Sequence, residues 1–304
     1  MDKKQLYSRI KQTKHQIMLK KVNVPLDPQQ SFSLRIDYSP RLHNLWHYHH
    51  EVECIFILKG KGTHYIGDSV KNFGPGDLIL VKDQTPHYWS FDEEYIGKDK
   101  DKLIEVYALH FSPELLGEGF FKLPEHTIVN RLFKDLAYNL TIHPELDPTT
   151  KIFNDIHMGP NSYRVMKLLE LLIHLGSLPN EKLCSQHYVF GRQKKEQKRI
   201  SNIIEYLRLN YKRRLTLNEI SNFAGMTPNS FCRFFKSNTG KTFIEFINLM
   251  RIQYAEKLLK ETELSIKEIA YEAGFSNPVN FHKVFKKTYN QSPMNYKKQT
   301  GHPH

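Results

Sequence analysis

The stretch "GFSNPVNFHKVFKK", residues 274–287, decides the fold of the C-terminal third of this 304-residue chain. A similar stretch, "GMTPNSFCRFFK", occupies residues 225–236. Each contains two phenylalanines four residues apart, Phe231 with Phe235 and Phe281 with Phe285. Residues four apart lie on the same face of a helix. Each pair therefore predicts an apolar stripe that packs its helix on a small core.

The two stretches belong to an internal duplication. "LTLNEISNFAGM", residues 215–226, aligns without gaps on "LSIKEIAYEAGF", residues 264–275, and the segments that follow align after one inserted residue, Ser276. Each copy predicts a short helix, a turn with a glycine, and a second helix that opens with a capping side chain followed by proline. Two helices joined in this way form a helix-turn-helix, so the chain predicts two such units.

The faces opposite the phenylalanines are expected to point outward. In the first copy this face carries Asn229 and Arg233, and in the second it carries Val279 and Lys283 beside His282. In the major groove Asn pairs with adenine, Arg pairs with guanine, and an apolar side chain contacts the thymine methyl group. The predicted DNA-binding residues are Asn229, Ser230, Arg233, Lys236, Pro278, Val279, His282, Lys283 and Lys286.

The segment between the copies, "TFIEFINLMRIQYAEKLLKET", contains neither proline nor glycine. It predicts one helix from about Thr242 to Lys260, which at 1.5 Å per residue is about 28 Å long. Adjacent major-groove faces on one side of B-DNA are about 34 Å apart. One chain can therefore present two reading heads to successive turns of a duplex.

The positive charge of the chain is concentrated in the same region. From Arg192 onward there are 21 Lys and Arg against 9 Asp and Glu, so this segment alone carries the net +12 of the whole chain. This distribution favours a polyanion-binding module attached to a neutral domain. Phosphate contacts, which position a protein without specifying a sequence, are expected from Lys194, Lys195, Lys198, Arg199, Lys212, Arg213, Arg214, Lys236, Lys286 and Lys287. An architectural protein that binds DNA without an effector is one alternative.

The stretch "IKEIAYEAGFSNPVNFHKVFKKTYNQSPMNYKK", residues 266–298, resembles the signature of the AraC/XylS family of bacterial transcription regulators. The resemblance extends over residues 197–298 and implies an AraC-type DNA-binding domain at about 196–299. It also implies a cytoplasmic, dimeric regulator, expected to be an activator, whose partners are promoter DNA and RNA polymerase. Asn290 stands where the family usually has glycine, and Asn is the next-best residue for a left-handed backbone.

The region from about residue 20 to 115 has the pattern of a β domain. Runs such as "ECIFILKGKG" (53–62) and "DLILVK" (77–82) are short, rich in β-branched and aromatic residues, and separated by glycines. This spacing predicts an antiparallel barrel or a double-sheet jelly roll. The overall fold class is therefore α+β and multidomain, with an N-terminal barrel, a helical linker and a C-terminal all-α tandem helix-turn-helix.

The region from 120 to 190 is predicted to be helical. Leucines and isoleucines recur at helical spacing, at Ile128, Leu132, Leu136 and Leu140 and again at Val165, Leu168, Leu169, Leu172 and Leu175. These helices can pack on the barrel or pair with those of a second subunit, so we assign the region as a linker and dimerisation region. The charged stretch "GRQKKEQKRI", 191–200, predicts the domain boundary.

The stretch "WHYHHEVE", residues 46–53, places His47, His49 and Glu53 in an H-x-H-x3-E pattern, and His87 follows a "PGD" turn. On a single strand the first three side chains would share a face. The pattern resembles the cupin barrel, whose two motifs supply a His-His-Glu-His metal set. The resemblance implies a metal site at His47, His49, Glu53 and His87, and such ligands suit a first-row metal.

The same residues can also serve as a ligand pocket without a metal, or as structural histidines. Aromatic faces beside hydrogen-bonding groups suit a small molecule, and the family suggests a carbohydrate effector. The effector-binding candidates are Trp46, His47, His49, Glu53, Tyr65, His87 and Trp89. A cupin metalloenzyme of the dioxygenase type with a DNA-binding appendage is the alternative from another class. The preferred interpretation is an effector pocket with no catalytic residue and no cofactor, and a divalent metal in the barrel is the alternative.

Neither a membrane nor an oxidising compartment is indicated. No apolar run approaches the ~20 residues of a membrane helix, so we expect no membrane partner. The three cysteines, Cys54, Cys184 and Cys232, are far apart in the sequence. They form no disulfide framework, which suits a reducing cytoplasm.

Overall fold

A computed structural model describes residues 19–27, 29–40, 45–96, 104–189 and 194–300. The chain divides into two compact units, Leu19–Val189 and the part that follows. The division falls beside the predicted junction at 191–200, whose first three residues lie outside the described part.

The N-terminal unit consists of two facing β-sheets. Its strands are β1 (Lys20–Lys21), β2 (Phe32–Asp37), β3 (His47–Tyr48), β4 (Val52–Lys59), β5 (Gly62–Ile66), β6 (Ser69–Phe73), β7 (Leu78–Val81), β8 (His87–Phe91), β9 (Glu105–Phe111), β10 (Leu140–Ile142) and β11 (Asn180–Lys182). The first sheet has the order β1-β3-β8-β5-β6 and the second β11-β10-β7-β4-β9-β2. This is the double-sheet barrel that the strand pattern predicts.

The N-terminal unit also contains helices, several of which pack on the outer face of the second sheet. They are α1 (Glu93–Ile96), α2 (Gly117–Phe121), α3 (Thr127–Leu136), α4 (Leu146–Met158), α5 (Asn161–Ser177) and α6 (Gln186–Val189), with a 3-10 turn at Pro124–His126. Leu168, Leu172 and Leu175 share one core with the strand residues Cys54 and Phe56. The leucine stripe of α5 therefore packs on the barrel, the first of the two alternatives.

The helical pattern was extended too far at one point. α3 ends at Leu136, and Leu140 begins strand β10 instead of continuing the helix. Asn139 between them has a positive φ of 53°, which interrupts the helix. On α5 the buried stripe includes Leu171, whereas Val165 is 36% exposed.

The inner faces of the sheets carry a different set of residues. Because Cys54 and Phe56 face the helices, the alternation of a strand turns Glu53 of β4 toward the opposite sheet. On β9 Leu109 faces the helices, which turns His110 inward in the same way.

The C-terminal unit is helical. Its helices are α7 (Lys194–Asn210), α8 (Leu217–Ala224), α9 (Pro228–Thr239), α10 (Phe243–Glu261), α11 (Ile266–Glu272), α12 (Pro278–Tyr289) and α13 (Pro293–Thr300). The pairs α8–α9 and α11–α12 are the two predicted helix-turn-helix units, and α10 is the long helix between them. Across the described parts of the chain, none of the helices has the length and apolarity needed to cross a membrane.

Candidate functional site

The first candidate recognition helix, α9, is fixed at both ends and along one face. Thr227 caps its start by accepting a hydrogen bond from the Ser230 N–H at 3.3 Å, and Gly240 ends it at φ 68°. Phe231 and Phe235 are fully buried with ring centroids 5.5 Å apart. The predicted apolar stripe is therefore the face that docks α9 on the core.

The second candidate helix, α12, repeats this construction. Asn277 accepts a hydrogen bond from the Val279 N–H at 2.8 Å. Phe281 and Phe285 are fully buried with ring centroids 5.6 Å apart. Asn290 ends the helix in the left-handed conformation, φ 56°, which is the role proposed for it from the sequence.

The opposite faces of both helices are solvent-exposed. Val279 is 74% exposed, although its apolar side chain forms no hydrogen bonds with water. Pro278, at the first turn of α12, is half-buried. The other exposed members of the predicted DNA-binding set are Asn229, Ser230, Arg233, Lys236, His282, Lys283 and Lys286.

The predicted phosphate-contacting cations fall into three groups. Those with exposed side chains are Lys198, Arg199, Lys212, Arg214, Lys236, Lys286 and Lys287. The side chains of Lys194 and Lys195 lie outside the described residues. Arg213 is also exposed, but its guanidinium donates to Asn210 Oδ1 at 2.9 Å and forms an ion pair with Glu219. Its partners give Arg213 a role in joining α7 to α8.

The two helix-turn-helix units are tied together beyond the shared helix α10. Arg251 of α10 donates to the carbonyl oxygens of Tyr211 at 2.8 Å and Arg213 at 3.0 Å. Gly274, in the turn of the second unit at φ +90°, packs on the same segment. A Cβ there would lie 2.7 Å from the carbonyl oxygen of Lys212. The loop after α7 therefore contacts both α10 and the second turn.

In the barrel, the predicted histidines and carboxylate converge, but from two sheets. His47 of β3 pairs in register with His87 of β8, and Glu53 of β4 pairs with His110 of β9. The expectation that His47, His49 and Glu53 share one strand is wrong. β3 ends at Tyr48 and β4 begins at Val52 in the other sheet, so the chain crosses the barrel between them.

The imidazoles and the carboxylate form one compact cluster. Nε2 of His87 lies 3.1 Å from Oε2 of Glu53, and Nε2 of His110 lies 3.2 Å from Oε1. Ring centroids of His47 and His87 are 4.2 Å apart, and those of His49 and His87 are 5.0 Å apart. Ligand atoms of His47, His49 and His87 lie within 4.8 Å of one another, and so do those of His49, Glu53 and His110.

Three of the histidines are oriented by main-chain carbonyl groups. Nδ1 of His47 lies 2.6 Å from the Leu45 oxygen, Nδ1 of His49 lies 3.0 Å from the Glu51 oxygen, and Nδ1 of His87 lies 2.8 Å from the Thr85 oxygen. A carbonyl oxygen only accepts, so each Nδ1 carries the proton and each Nε2 presents a lone pair. Metal-binding histidines are commonly held in this way.

The protonation of the cluster favours a cation. Burial lowers the pKa of His47 to about 4 and the pKa of His49 to about 3, so both are neutral at pH 7. His47 and His49 thus offer neutral imidazole nitrogens to a cation.

These residues fit a divalent first-row metal ion. Within the described part of the chain, His49 Nε2, His87 Nε2 and Glu53 Oε2 are buried and have no hydrogen-bond partner. Unpaired buried acceptors are costly, and a cation bound by all of them removes the cost. His47, His49, His87 and Glu53 would hold such an ion, which suits a site of nitrogen and oxygen ligands.

His110 was missed from the sequence. It lies in "VYALHF", residues 106–111, a run that is otherwise apolar or aromatic. A lone histidine on a strand expected to be buried on both faces, with no nearby motif partner, was the available signal. Its pairing with Glu53 depends on strand register, which the sequence does not show.

The predicted effector-binding aromatics do not all face the cluster. Trp89 is two residues from His87 on β8 and therefore shares its inward face. Tyr65 pairs in register with Tyr88, on the opposite face of the sheet from Trp89. The alternation of the strands thus separates Tyr65 from the cluster. Trp46 is buried immediately before β3.

Comparison with known proteins agrees with both units. A helix-turn-helix domain model matches residues 220–299, and a cupin domain model matches residues 35–95. The uncharacterized HTH-type transcriptional regulator YdeC of Bacillus subtilis (strain 168) is 25% identical over 255 residues, 83% of this chain and 85% of YdeC. The uncharacterized HTH-type transcriptional regulator SACOL0084 of Staphylococcus aureus is 22% identical over 80% of this chain, which spans only 31% of that protein.

Among solved structures, ToxT from Vibrio cholerae is 18% identical and matches 89% of this chain and 99% of its own, with a TM-score of 0.34. The DNA-binding domain of AdpA, in complex with a target DNA, is 23% identical and matches 33% of this chain and 90% of its own, with a TM-score of 0.32. The two domain matches fall on the two units described above, so this chain combines a cupin domain with a helix-turn-helix domain, and the sequence relatives it resembles are HTH-type transcriptional regulators.

Proposed function

We propose that this regulator binds promoter DNA through α9 and α12, responds to a small molecule in the barrel, and activates transcription as a homodimer that contacts RNA polymerase. The observation that carries the DNA-binding part is the pair of phenylalanine-anchored helices with exposed polar faces. Base contacts are assigned to Asn229 and Arg233 on α9, and to Val279, His282 and Lys283 on α12.

Site selection from random DNA duplexes tests this assignment. The full chain should enrich one motif, and footprinting should protect two segments about 34 Å apart on one side of the duplex. Uniform, salt-sensitive binding with no enriched motif would instead support the architectural alternative.

For the barrel, we propose that His47, His49, His87 and Glu53 bind a divalent first-row metal ion. The buried atoms of His49, His87 and Glu53 that lack a hydrogen-bond partner among the described residues support this assignment. A bound ion would supply a Lewis-acidic centre for an oxygen atom of the effector. Effector binding itself would use Trp89 and the apolar interior beside the cluster.

Metal analysis of the purified full chain tests the site. One equivalent of metal is expected, with loss in His47→Ala and His87→Ala and retention in the control His157→Ala, whose side chain is exposed on α4. A metal-free wild type after incubation with Zn²⁺, Mn²⁺ and Ni²⁺ would leave the cluster as a pocket without metal.

The effector can be identified by thermal shift, because a ligand of the native state stabilises it by about 2.7 kcal/mol at 100 times Kd. Carbohydrates and small acids are the first compounds to screen, with DNA affinity as the second readout. Oxygen consumption by the Fe²⁺-loaded chain with such a compound would favour the dioxygenase alternative.

The outer side of α5 is assigned to the homodimer. Val165, Met166 and Ile173 are 36%, 66% and 43% exposed, while the leucines of the same helix pack on the barrel. An exposed apolar stripe on a helix is typical of an interaction surface. Met166→Lys with Ile173→Lys should convert a dimer to a monomer in analytical ultracentrifugation. Exposed Lys151→Glu on α4 is the control, and an unchanged mass would reject this surface.

A further inference from the structure

His110 differs from the other three histidines of the cluster in how its ring is held. The Nδ1 atoms of His47, His49 and His87 contact main-chain oxygens, whereas Nδ1 of His110 is buried without a hydrogen-bond partner among the described residues. The one polar contact described for His110 is between Nε2 and Oε1 of Glu53, at 3.2 Å.

This contact determines the tautomer of His110. A carboxylate oxygen is a hydrogen-bond acceptor, so at this distance Nε2 of His110 carries the proton and donates it to Oε1 of Glu53. His110 is therefore a hydrogen-bond donor toward the cluster, whereas the other three histidines present lone pairs.

The two oxygens of Glu53 consequently have different surroundings. Oε1 is occupied by the N–H of His110. Oε2 lies 3.1 Å from Nε2 of His87 and has no hydrogen-bond partner in the described chain. Two facing acceptors without a proton between them repel each other, so this half of the carboxylate is the half prepared for a cation.

We propose that His110 is a positioning residue of the metal site. By holding Oε1 it directs Oε2 toward the Nε2 atoms of His47, His49 and His87, and Glu53 binds the ion through one oxygen. The inference rests on the metal site proposed above. Outer-shell partners of this kind typically contribute a factor of about 10–100 to metal affinity.

Two substitutions separate positioning from ligation. His110→Gln keeps an N–H donor at a similar reach, and His110→Leu removes the donor while keeping the site apolar. Affinities for Co²⁺ and Cu²⁺ are measured on the full chain by chelator competition, with His87→Ala as the ligand-loss control. His110→Leu should bind about 10–100-fold more weakly, and His110→Gln should restore most of the affinity.

A spectroscopic readout counts the ligands. The Cu²⁺ EPR spectra of the wild type, His110→Leu and His110→Gln should report the same number of imidazole nitrogens, while His87→Ala loses one. If both His110 variants lose one nitrogen, His110 is a ligand and the inference is wrong. Wild-type affinity in His110→Leu also overturns it.

The metal-free chain provides an independent arm. Long-range ¹H–¹⁵N NMR should show the Nε2–H tautomer for His110 and the Nδ1–H tautomer for His47, His49 and His87. An Nδ1–H tautomer at His110 rejects the positioning role even where metal binds. Failure of the wild type to bind metal, with the tautomers as stated, rejects the metal site and the role together. Retained far-UV circular dichroism confirms that each variant is folded.

Discussion

At the scale of single residues, the roles proposed for base reading and for phosphate attraction belong to different exposed side chains. Arg233 is exposed beside the buried Phe231 and Phe235, so its removal changes no core contact. Lys286 is exposed in the last turn of α12, and we propose it as a phosphate contact.

Arg233→Ala should cost about 1–3 kcal/mol of binding free energy at the selected site and relax base preference at one position. The loss reflects a bidentate contact to guanine. Fluorescence anisotropy on single-base variants of the site measures it, with exposed Lys298→Ala as a control of equal charge change. Unchanged affinity and preference would remove Arg233 from the recognition set.

Lys286→Ala should weaken binding to all sequences alike. It should reduce the slope of log affinity against log salt by about 1, because one phosphate contact is lost. Titrations at several salt concentrations on the selected and a scrambled duplex check this. A loss confined to the selected duplex would assign Lys286 to base reading instead.

A buried carboxylate makes the second helix-turn-helix unit sensitive to acid. Glu256 accepts hydrogen bonds from Lys260, Tyr289 and Tyr296. Burial alone would raise the pKa of Glu256, but these hydrogen bonds outweigh it and place that pKa below its ordinary value. The stabilisation is fully present above the unfolded-state pKa and is lost as pH falls through the folded-state pKa.

Glu256→Gln should therefore reduce the free energy of unfolding by about 1–3 kcal/mol at neutral pH. It should also flatten the loss of stability below about pH 4.5. Urea denaturation from neutral to acid pH measures both effects, with exposed Glu263→Gln as the control. Parallel pH profiles of the wild type and Glu256→Gln would exclude the network as the acid-sensitive element.

At the scale of elements, the two helix-turn-helix units have the same arrangement of helices, but their turns have different surroundings. Gly225 and Gly274 both have positive φ, at 66° and 90°. A Cβ on Gly225 meets no atom within 4 Å, whereas a Cβ on Gly274 meets the carbonyl oxygens of Tyr211 and Lys212 below 3 Å. The first turn requires glycine only for its positive φ, and the second turn requires it also because a Cβ would clash with neighbouring backbone atoms.

Gly274→Ala should accordingly destabilise the protein more than Gly225→Ala. The strained φ costs about 1–2 kcal/mol in either turn, and the steric clash adds to it only at Gly274. Thermal unfolding of the two variants provides the comparison, since each serves as the control for the other. Equal destabilisation would mean that the backbone around Lys212 moves away from the new Cβ without a loss of stability.

The elements also show what the sequence can predict. Period-four phenylalanines, caps followed by proline, and a duplication fix α8 to α12 closely, because these signals are local. The short motif around His47 suggested a single strand, and that prediction was wrong because the chain turns from one sheet to the other within the motif. The predicted end of α3 was wrong because the spacing of apolar residues does not show that Asn139 adopts a left-handed backbone conformation.

At the scale of the whole molecule, the candidate metal site depends on pairings that no local pattern contains. Glu53 and His110 are 57 positions apart and meet only through the register of β4 and β9. The prediction that Tyr65 lies beside the cluster was wrong for a related reason. The face of the sheet on which its side chain lies depends on where β5 begins. The exposed polar faces of α9 and α12 were more predictable because each belongs to a single helix.

The spacing of the two recognition helices is expected to be invariant. Inserting about half a helical turn of DNA between the two halves of the selected site should abolish high-affinity binding, because one head then faces the wrong side of the duplex. Insertion of a full turn should also fail, since α10 cannot lengthen. Anisotropy with spacer variants of the selected site checks both outcomes, and tolerance of the full turn would indicate independent heads.

The contacts of Arg251 and Gly274 with the loop after α7 have an evolutionary consequence. These contacts hold the two helix-turn-helix units at a fixed distance from each other. Such a regulator cannot bind a promoter in which nucleotides have been inserted or deleted between the two halves of the binding site. Target genes can then be acquired or lost through base substitutions, while small insertions and deletions in the operator act as complete losses. Rewiring of such a regulon would proceed by point changes under a constant operator length.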